Sequence, residues 1–383
     1  MAASSNIPIL LSTNLVALLL CATMGVNGVW RWRSVDIEQK LLAFMFLVSG
    51  ACCIFDPVTI LANGHVTRAA FCANLIGNSL LYIGGVSGIW AWTLLLQHHL
   101  FGEISRRFAL VAGLPFVVCL TLIFINFFYP LVFSIDENNV YHREGGLVFI
   151  TVLETMYFFH SLARYYLAKK RGGLLKFFPV WNFVIPIFFG ITMQMIFFGT
   201  SYLPACCVVG TTGIAVSFQN EQIYRDKLTG LYNRAYLDYI TARLNRQGSA
   251  PLTGVMLDVN GFKSINDTYG HLTGDEALVT ISRILELAVK EYGTAIRYAG
   301  DEFILLINST DNTIANVCFD RMKEGCESFN AASDTYRLSI SYGYEIFRPE
   351  DETLDDFMNR IDKKMYEDKE RYYRQSGKDR RTK

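Results

Sequence analysis

Charged residues are distributed unevenly along this chain, and this distribution constrains the fold more than any other feature. The chain has 383 residues, with 35 Lys and Arg and 35 Asp and Glu. Residues 1–219 contain only 12 of the basic and 8 of the acidic residues, which is 20 of the 70 charges in more than half of the length. The first part is therefore too apolar for a soluble domain, whereas residues 220–383 have an ordinary soluble composition.

The composition also excludes several classes of protein. A disordered chain, a secreted disulfide scaffold and a single soluble enzyme do not fit an apolar first part joined to a charged second part. Neither part has a large positive excess, so we expect no nucleic-acid partner. The nine cysteines form no C-x-x-C pair, which gives no support to a zinc or dithiol site. The adjacent pairs Cys52-Cys53 and Cys206-Cys207 favour helix packing, with redox sensing as the alternative.

The first part contains apolar runs of the length that a membrane requires. A bilayer core of about 30 Å needs about 20 apolar residues in each helix. Seven runs satisfy or approach that length, so we predict an α-helical membrane bundle of about seven spans in contact with the lipid bilayer. The predicted spans are residues 7–29, 41–62, 70–96, 108–133, 147–167, 177–198 and 202–218.

Basic residues in the loops predict the orientation of these spans. Lys and Arg cluster in the loops that follow the first, third and fifth spans, and such loops lie on the cytoplasmic side. We therefore predict a multi-pass protein of the cell (inner) membrane, with the N-terminus outside and residues 220–383 in the cytoplasm. The basic residues concerned are Arg31, Arg33, Lys40, Arg106, Arg107, Lys169, Lys170, Arg171 and Lys176.

A few ionisable residues fall inside the predicted spans, and intramembrane ionisable groups are candidates for function. Asp56 lies in the second span and is followed by Pro57, while His160 and Arg164 are separated by one helical turn in the fifth. They could form a ligand or proton sensor, or they could hold helices together, with Arg164 extending to the interface. Both interpretations stay open, and the sequence identifies no ligand for this region.

The second part has a mixed α and β pattern. Residues 220–225 contain no Gly or Pro, so this short linker either continues the last span as a helix or acts as a passive tether. Asn233 is placed to cap a helix that ends near residue 246. Beyond it we predict strands at 253–258, 295–298, 303–307 and 336–347, and helices at 274–292, 312–331 and 353–375. This order predicts an α+β, ferredoxin-like domain over residues 226–383, with its helices on one face of the sheet.

Carboxylates lie at the ends of the predicted strands. Asp258 ends one strand, and Asp301 and Glu302 lie in the tight turn between two others. If these strands are neighbours, the carboxylates face one another and can hold Mg²⁺ against a nucleotide triphosphate. Lys263 follows closely enough to reach the charge that develops on a phosphate. Taken singly, such an Asp is more often a cap or turn residue, and such a Lys is more often a surface charge.

Four separated segments resemble the GGDEF domain of diguanylate cyclases. They are DKLTGLYNR (226–234), LDVNGFKSINDTYGHLTGDEAL (257–278), RYAGDEF (297–303) and IDKKMYEDK (361–369), in the order and with the spacing of that family. The resemblance covers roughly 40% of the chain, all of it after the apolar part. It implies a palm-type fold, a homodimer, and the condensation of two GTP into cyclic di-GMP and two pyrophosphates with Mg²⁺ or Mn²⁺.

The resemblance also implies roles for individual residues. Metal ligands would be Asp258, Asp301 and the backbone carbonyl of Val259, and Glu302 would be a further metal ligand or a catalytic carboxylate. Asp301 would also accept the proton of the attacking 3′-hydroxyl. Lys263 would stabilise the transition state and Lys369 would contact a phosphate. Asn266 and Asp275 would bind the guanine, with His271 near the substrate.

Some positions depart from the family pattern. The signature has Ala299 in place of its first Gly, and Asn260 stands where many members have Asp. Either Arg374 or Arg380 could take a phosphate role near the C-terminus. The product-binding Arg-x-x-Asp of many members falls on Lys290 and Gly293, which cannot supply the same contacts, so we expect no inhibition through it.

Three hypotheses follow. The first is a membrane-bound diguanylate cyclase controlled by residues 1–219. The second is a degenerate GGDEF domain that acts as a GTP or cyclic di-GMP receptor, and the third is a transporter with a regulatory tail. Because the metal and substrate positions are all occupied by suitable residues, the sequence favours the enzyme.

Overall fold

Apolar helices make up most of the first part of the chain in a computed structural model, which describes residues 2–26, 36–170, 180–196, 201–246, 251–348 and 350–376. The helices are α1 (Ala2–Val26), α2 (Ile37–Ala62), α3 (Arg68–Phe101), α4 (Arg106–Ile125), α5 (Gly145–Lys170), α6 (Trp181–Ile196) and α7 (Leu203–Ile223). The chain divides into two compact units. The first contains α1–α4, α6 and most of α5 and α7, and the second contains residues 220–383 together with the last two residues of α5.

Five of the described helices, α1 to α5, are long and apolar enough to cross a membrane. Helix α6 is apolar but shorter, and α7 is not among the five. The structure therefore supports a membrane region, while the count of seven spans stays a prediction. Four of the basic residues that predicted its orientation, Arg31, Arg33, Arg171 and Lys176, lie outside the described residues.

The fourth span was predicted to reach residue 133, and this was wrong, because α4 ends at Ile125. The buried Asn126 follows it and turns the chain back, since its Oδ1 accepts hydrogen bonds from the N–H groups of Val132 (2.7 Å) and Phe133 (3.2 Å). These bonds satisfy backbone groups that a continuing helix would have paired. An antiparallel hairpin follows, with β1 (Phe133–Ile135) and β2 (Tyr141–Arg143).

Arg164 ties α5 to α3. Its guanidinium donates to Oε1 of Gln97 at 2.6 Å and lies 4.2 Å from the ring centroid of Phe101. An amide oxygen and an aromatic face both stabilise the guanidinium cation, so the Arg164 side chain packs against α3. These contacts favour the helix-packing interpretation of Arg164.

The second unit is built on one mixed sheet. Its elements are β3 (Tyr232–Asn233), α8 (Arg234–Arg246), β4 (Leu252–Val259), α9 (Phe262–Tyr269), α10 (His271–Val289), β5 (Gly293–Ala299), β6 (Glu302–Ile307), α11 (Asn312–Ala332), β7 (Ile340–Phe347) and α12 (Leu354–Ser376). The strand order is β3-β5-β6-β4-β7, in which β3 and β5 are parallel and the other pairs antiparallel.

Helices cover both faces of this sheet, so the prediction that they lie on one face was wrong. Val255 and Leu257 of β4 belong to a core formed with α10 and α11. Met256, between them, belongs to a second core formed with α8 and α12. All eight residues of β4 are buried, as in a strand with helices above and below it.

Two glycines allow α12 to lie directly on the sheet. A Cβ at Gly343 of β7 would collide with backbone atoms of Ile361, Lys364 and Met365, and a Cβ at Gly254 of β4 would collide with the ring of Phe357. Only the absence of a side chain permits so close an approach. The position of α12 on the sheet therefore depends on both glycines.

The last turn of α7 is joined to the segment that begins the sheet. Arg225 donates to Oε1 of the buried Glu221 at 2.7 Å, and the Tyr232 hydroxyl donates to the same oxygen at 2.9 Å. Asn233 donates from its side chain to the carbonyl of Ile223 at 2.8 Å, and its Oδ1 accepts from the N–H of Tyr236 at 3.2 Å. The predicted cap at Asn233 is thereby confirmed, and the residues beyond 219 begin as helix.

Candidate active site

Three strands bring the predicted carboxylates together at one end of the sheet. Asp258 of β4 lies opposite Glu302 of β6 on one side and Ser341 of β7 on the other. The N–H of Val259 donates to the carbonyl of Asp301 at 3.2 Å. The adjacency predicted for Asp258, Asp301 and Glu302 is therefore confirmed, and the Val259 backbone belongs to the same cluster.

The turn between β5 and β6 presents Asp301. Gly300 has φ of +49°, in the left-handed region that favours glycine, and a β-bulge separates Arg297 from Ala299. Ala299, which replaces the first glycine of the signature, is exposed. Its methyl group is therefore not packed inside the domain, and the turn forms with alanine at this position.

The carboxylates repel one another. Burial, and then the charge of Asp258, raises the pKa of Asp301 above its ordinary value. Burial, followed by the charges of Asp258 and Asp301, raises the pKa of Glu302 in the same way. A cation placed among them would relieve this repulsion, which is the electrostatic setting of a metal or substrate site.

Lys369 supplies one such cation from α12. Its Nζ lies 2.5 Å from Oδ1 of Asp258, and the two side chains are only 16% and 7% exposed. The pair joins residues 111 positions apart in sequence. The sequence predicts that Lys369 contacts a phosphate. In the structure its ammonium group pairs with Asp258, the carboxylate that is predicted to bind the metal.

The donor set fits Mg²⁺ or Mn²⁺, which take carboxylate and carbonyl oxygens together with substrate phosphates. The observation that supports the fit is the position of Asp258, Asp301 and Glu302 together at one end of the sheet, where burial and the charge of Asp258 raise the pKa of the other two. Within the described residues, no three His, Cys, Asp or Glu side chains converge closely enough to hold a metal ion by themselves. Substrate oxygens would therefore have to complete the metal's coordination shell.

The predicted guanine-binding residues lie at the corner between α9 and α10. Gly270, with φ of +87°, separates the two helices. A Cβ at Gly274 would overlap the side chain of Asn266, so Asn266 packs directly beside the residue that precedes Asp275. His271 and Asp275 are exposed, and Asn266 is half-buried. The corner thus brings Asn266 close to the part of α10 that carries Asp275, and their guanine-binding role stays a prediction.

Lys263 is exposed on the first turn of α9. Among the described contacts it makes no ion pair with the carboxylates, in contrast to Lys369. At the C-terminus, Arg374 is exposed and pairs with Glu370 at 3.1 Å, while Arg380 lies outside the described residues. The structure therefore leaves Lys263 accessible to a substrate and does not bring Arg374 to the carboxylates.

Sequence reasoning missed two contacts that support the site. Arg297 donates to the Asp226 carboxylate at 3.0 Å and to the carbonyl of Gly300 at 2.9 Å, which connects the turn that holds Asp301 to the start of the domain. Asn260, where many family members have Asp, bonds through its side chain to Ser339 (3.1 Å) and Ser341 (3.0 Å). It is buried and serves the packing of β7 rather than the carboxylate cluster.

Comparison with known proteins identifies this unit. Residues 223–375 match the family model described as Diguanylate cyclase, GGDEF domain. Diguanylate cyclase A of Treponema denticola is 33% identical over 133 residues, which cover 34% of this chain and 34% of that protein. Diguanylate cyclase DgcZ of Escherichia coli K12 is 33% identical over 148 residues, which cover 38% of this chain and 50% of that protein. The matches thus span between a third and a half of these curated relatives.

Among solved structures, the coiled coil and GGDEF domain of DgcB from Caulobacter crescentus, in complex with c-di-GMP, aligns at 22% identity. The alignment covers 43% of this chain and 86% of that one, with a TM-score of 0.35. The carboxylate cluster, the corner between α9 and α10, and Lys369 all lie inside the matched residues 223–375. The second unit of this chain is therefore a GGDEF domain, similar in sequence to those of diguanylate cyclases.

Proposed function

We propose that this chain is a membrane-bound diguanylate cyclase that condenses two GTP molecules into cyclic di-GMP and two pyrophosphates. The observation that carries the proposal is the cluster of Asp258, Asp301 and Glu302 at one end of the sheet, where burial and the neighbouring charges raise the pKa of the last two. A domain that only bound a nucleotide would not need three repelling carboxylates at one sheet end. The match to the GGDEF family supplies the substrate class.

In the proposed reaction, the 3′-hydroxyl oxygen of one GTP attacks the α-phosphorus of the other. The bond from that phosphorus to the bridging oxygen of the β-phosphate breaks, pyrophosphate leaves, and the hydroxyl proton passes to Asp301. The 3′-hydroxyl of the second GTP then attacks the α-phosphorus of the first in the same way, the second pyrophosphate leaves, and the ring of cyclic di-GMP closes.

The other residues bind and orient. Asp258, Asp301, Glu302 and the Val259 carbonyl would hold Mg²⁺ or Mn²⁺, which supplies positive charge against the triphosphate when bound. Lys263 and Lys369 would neutralise phosphate charge, Lys263 during the transfer. Asn266 and Asp275 would bind the guanine edge, with His271 beside the substrate.

We further propose how the chain is organised. Residues 1–219 would form a sensor region in the inner membrane, 220–225 a helical linker, and 226–383 the catalytic domain in the cytoplasm. The product is two-fold symmetric and each domain has one nucleotide site, so two domains would face each other in a homodimer. A signal in the membrane region would then change the fraction of time for which the two nucleotide sites face each other.

The test is to purify the full chain in lipid nanodiscs, add GTP and Mg²⁺, and measure cyclic di-GMP. We expect product from the wild type and none from Asp301→Asn. The matched control is Asp334→Asn, which removes an exposed carboxylate of the same domain and should retain full turnover. If the wild type binds GTP but forms no product, the receptor hypothesis replaces the enzyme hypothesis.

A further inference from the structure

A buried carboxylate in the apolar unit makes no ion pair with any residue that the structure describes. Asp56 is 5% exposed and lies six residues before the end of α2, about 9 Å along the helix. The ion pairs in the described part of residues 1–219 involve Glu38 and Asp136, and not Asp56. A buried carboxylate without a cationic partner is costly when ionised, so either a proton or another cation is expected to neutralise it.

The polar side chain that contacts Asp56 leaves an acceptor unused. Asn14 of α1 is 1% exposed and donates from Nδ2 to Oδ2 of Asp56 at 3.1 Å and to the carbonyl of Leu10 at 3.1 Å. Its Oδ1 is buried and has no hydrogen-bond partner among the described residues. Such an orphaned oxygen beside a carboxylate points to a missing electropositive occupant.

A hydroxyl group lies beside the same carboxyl. The Ser201 hydroxyl hydrogen-bonds to the Asp56 carboxyl. Carboxylate, amide and hydroxyl oxygens are hard ligands. With a single carboxylate among them, the site balances one positive charge.

We propose that Asp56, Asn14 and Ser201 form a binding site for a small monovalent metal cation, with Na⁺ as the probe. Ser201 lies two residues before α7 begins, and α7 extends from Leu203 to Ile223, at the start of the GGDEF domain. Occupancy of the site would therefore act on the first turn of the helix that leads to this domain. That last effect, on cyclic di-GMP output, rests on the proposed function, whereas cation binding does not.

Binding is measured on the full chain in lipid nanodiscs, independently of turnover. Choline is replaced by Na⁺ from about 1 to 100 mM at constant ionic strength and pH, and the thermal unfolding midpoint is followed. We expect a rise of several degrees in the wild type and none in Asp56→Asn. The matched control Glu137→Gln, which removes an exposed acid from the loop between β1 and β2, should keep the full rise.

Equilibrium binding of radioactive Na⁺ gives a second measurement. One displaceable ion per wild-type chain is expected, with weaker binding in Ser201→Ala, which keeps the assay informative if Asp56→Asn does not fold. An absent Na⁺ response, or an equal one in Asp56→Asn, would overturn the site. A midpoint that responds to pH but not to Na⁺ would assign the position to a proton and also overturn it. Because neither assay uses GTP, both report on Na⁺ binding even if the protein has no cyclase activity.

Discussion

Lys369 Nζ lies 2.5 Å from Asp258 Oδ1, so the last helix of the chain neutralises the most buried carboxylate of the candidate active site. The pair is mostly shielded from water, and charge-assisted hydrogen bonds of this kind stabilise more than neutral ones. Lys369 thus has two roles to reconcile: it balances Asp258 in the absence of substrate, and it is the predicted phosphate contact in its presence.

The first prediction concerns this pair. Lys369→Met should lower the free energy of unfolding of the isolated GGDEF domain by about 2 kcal/mol, because Asp258 loses its partner beside Asp301 and Glu302. Urea unfolding measures it. The matched control is Lys364→Met on the same helix. It removes a 2.5 Å ion pair with Glu345, in which the lysine side chain is 51% exposed and the glutamate side chain 30%. Its cost should stay below about 1 kcal/mol, and equal costs would contradict the argument.

The second prediction concerns Lys263. Lys263→Met should lower kcat by about 30- to 150-fold, since removing one electrostatic stabiliser of a transition state costs about 2–3 kcal/mol. The urea midpoint should not change, because Lys263 is exposed. Lys323→Met, which removes another exposed lysine on α11, should leave kcat intact. A wild-type kcat in Lys263→Met would remove this residue from the mechanism.

The third prediction is a pH dependence of stability. Although burial alone would raise it, hydrogen bonds from Thr229 and the charge of Arg297 hold the pKa of Asp226 below its ordinary value. A lowered folded-state pKa stabilises the fold above the ordinary aspartate pKa, and that stabilisation is lost as pH falls through the lower folded value. Acidification should therefore destabilise the wild-type domain more than Asp226→Asn.

Urea unfolding of the domain at a series of pH values between neutrality and about 3 checks this. Asp238→Asn, which removes an exposed aspartate of α8, should follow the wild-type curve. If Asp226→Asn and the wild type lose stability in parallel, the Arg297 contact has no such effect.

The fourth prediction is that cyclic di-GMP does not inhibit through the position of the family's Arg-x-x-Asp site. Lys290 lacks the planar fork of arginine, and Gly293 has no side chain. A Cβ at Gly293 would also collide with the backbone of Leu306 and Ile307, so β5 cannot accept an aspartate there without shifting. Isothermal titration of the domain should show no low-micromolar binding. Such binding, if abolished by Lys290→Ala, would refute the prediction.

The carboxylate cluster could be predicted because its determinants are local. A strand that ends in Asp258 and a hairpin that turns at Asp301 are each recognisable within a few residues, and neighbouring strands then place them together. The pairing of Asp226 with Arg297 could not be predicted in this way. Both residues lie in recognised segments, but they are 71 positions apart, and no local pattern relates a turn to a distant strand.

Two errors in the predicted fold also have physical causes. The fourth span was extended because residues 126–133 are mostly apolar, whereas the buried Asn126 satisfies the backbone of Val132 and Phe133 and makes ending the helix favourable. Helices were expected on one face of the sheet, whereas all eight residues of β4 are buried, polar Thr253 and Asp258 included, because helices cover both faces. In each case tertiary contacts decided between alternatives that local pattern leaves open.

The two glycines beneath α12 are positions outside the signature motifs at which a substitution should inactivate the GGDEF domain. Gly254 and Gly343 are not among the predicted substrate-binding residues, yet they determine how close α12 lies to the sheet and therefore where Lys369 is held. A single methyl group at either position would lift the helix. Inactivating mutations in a genetic screen should therefore accumulate at these two codons, where the motifs alone give no reason to look.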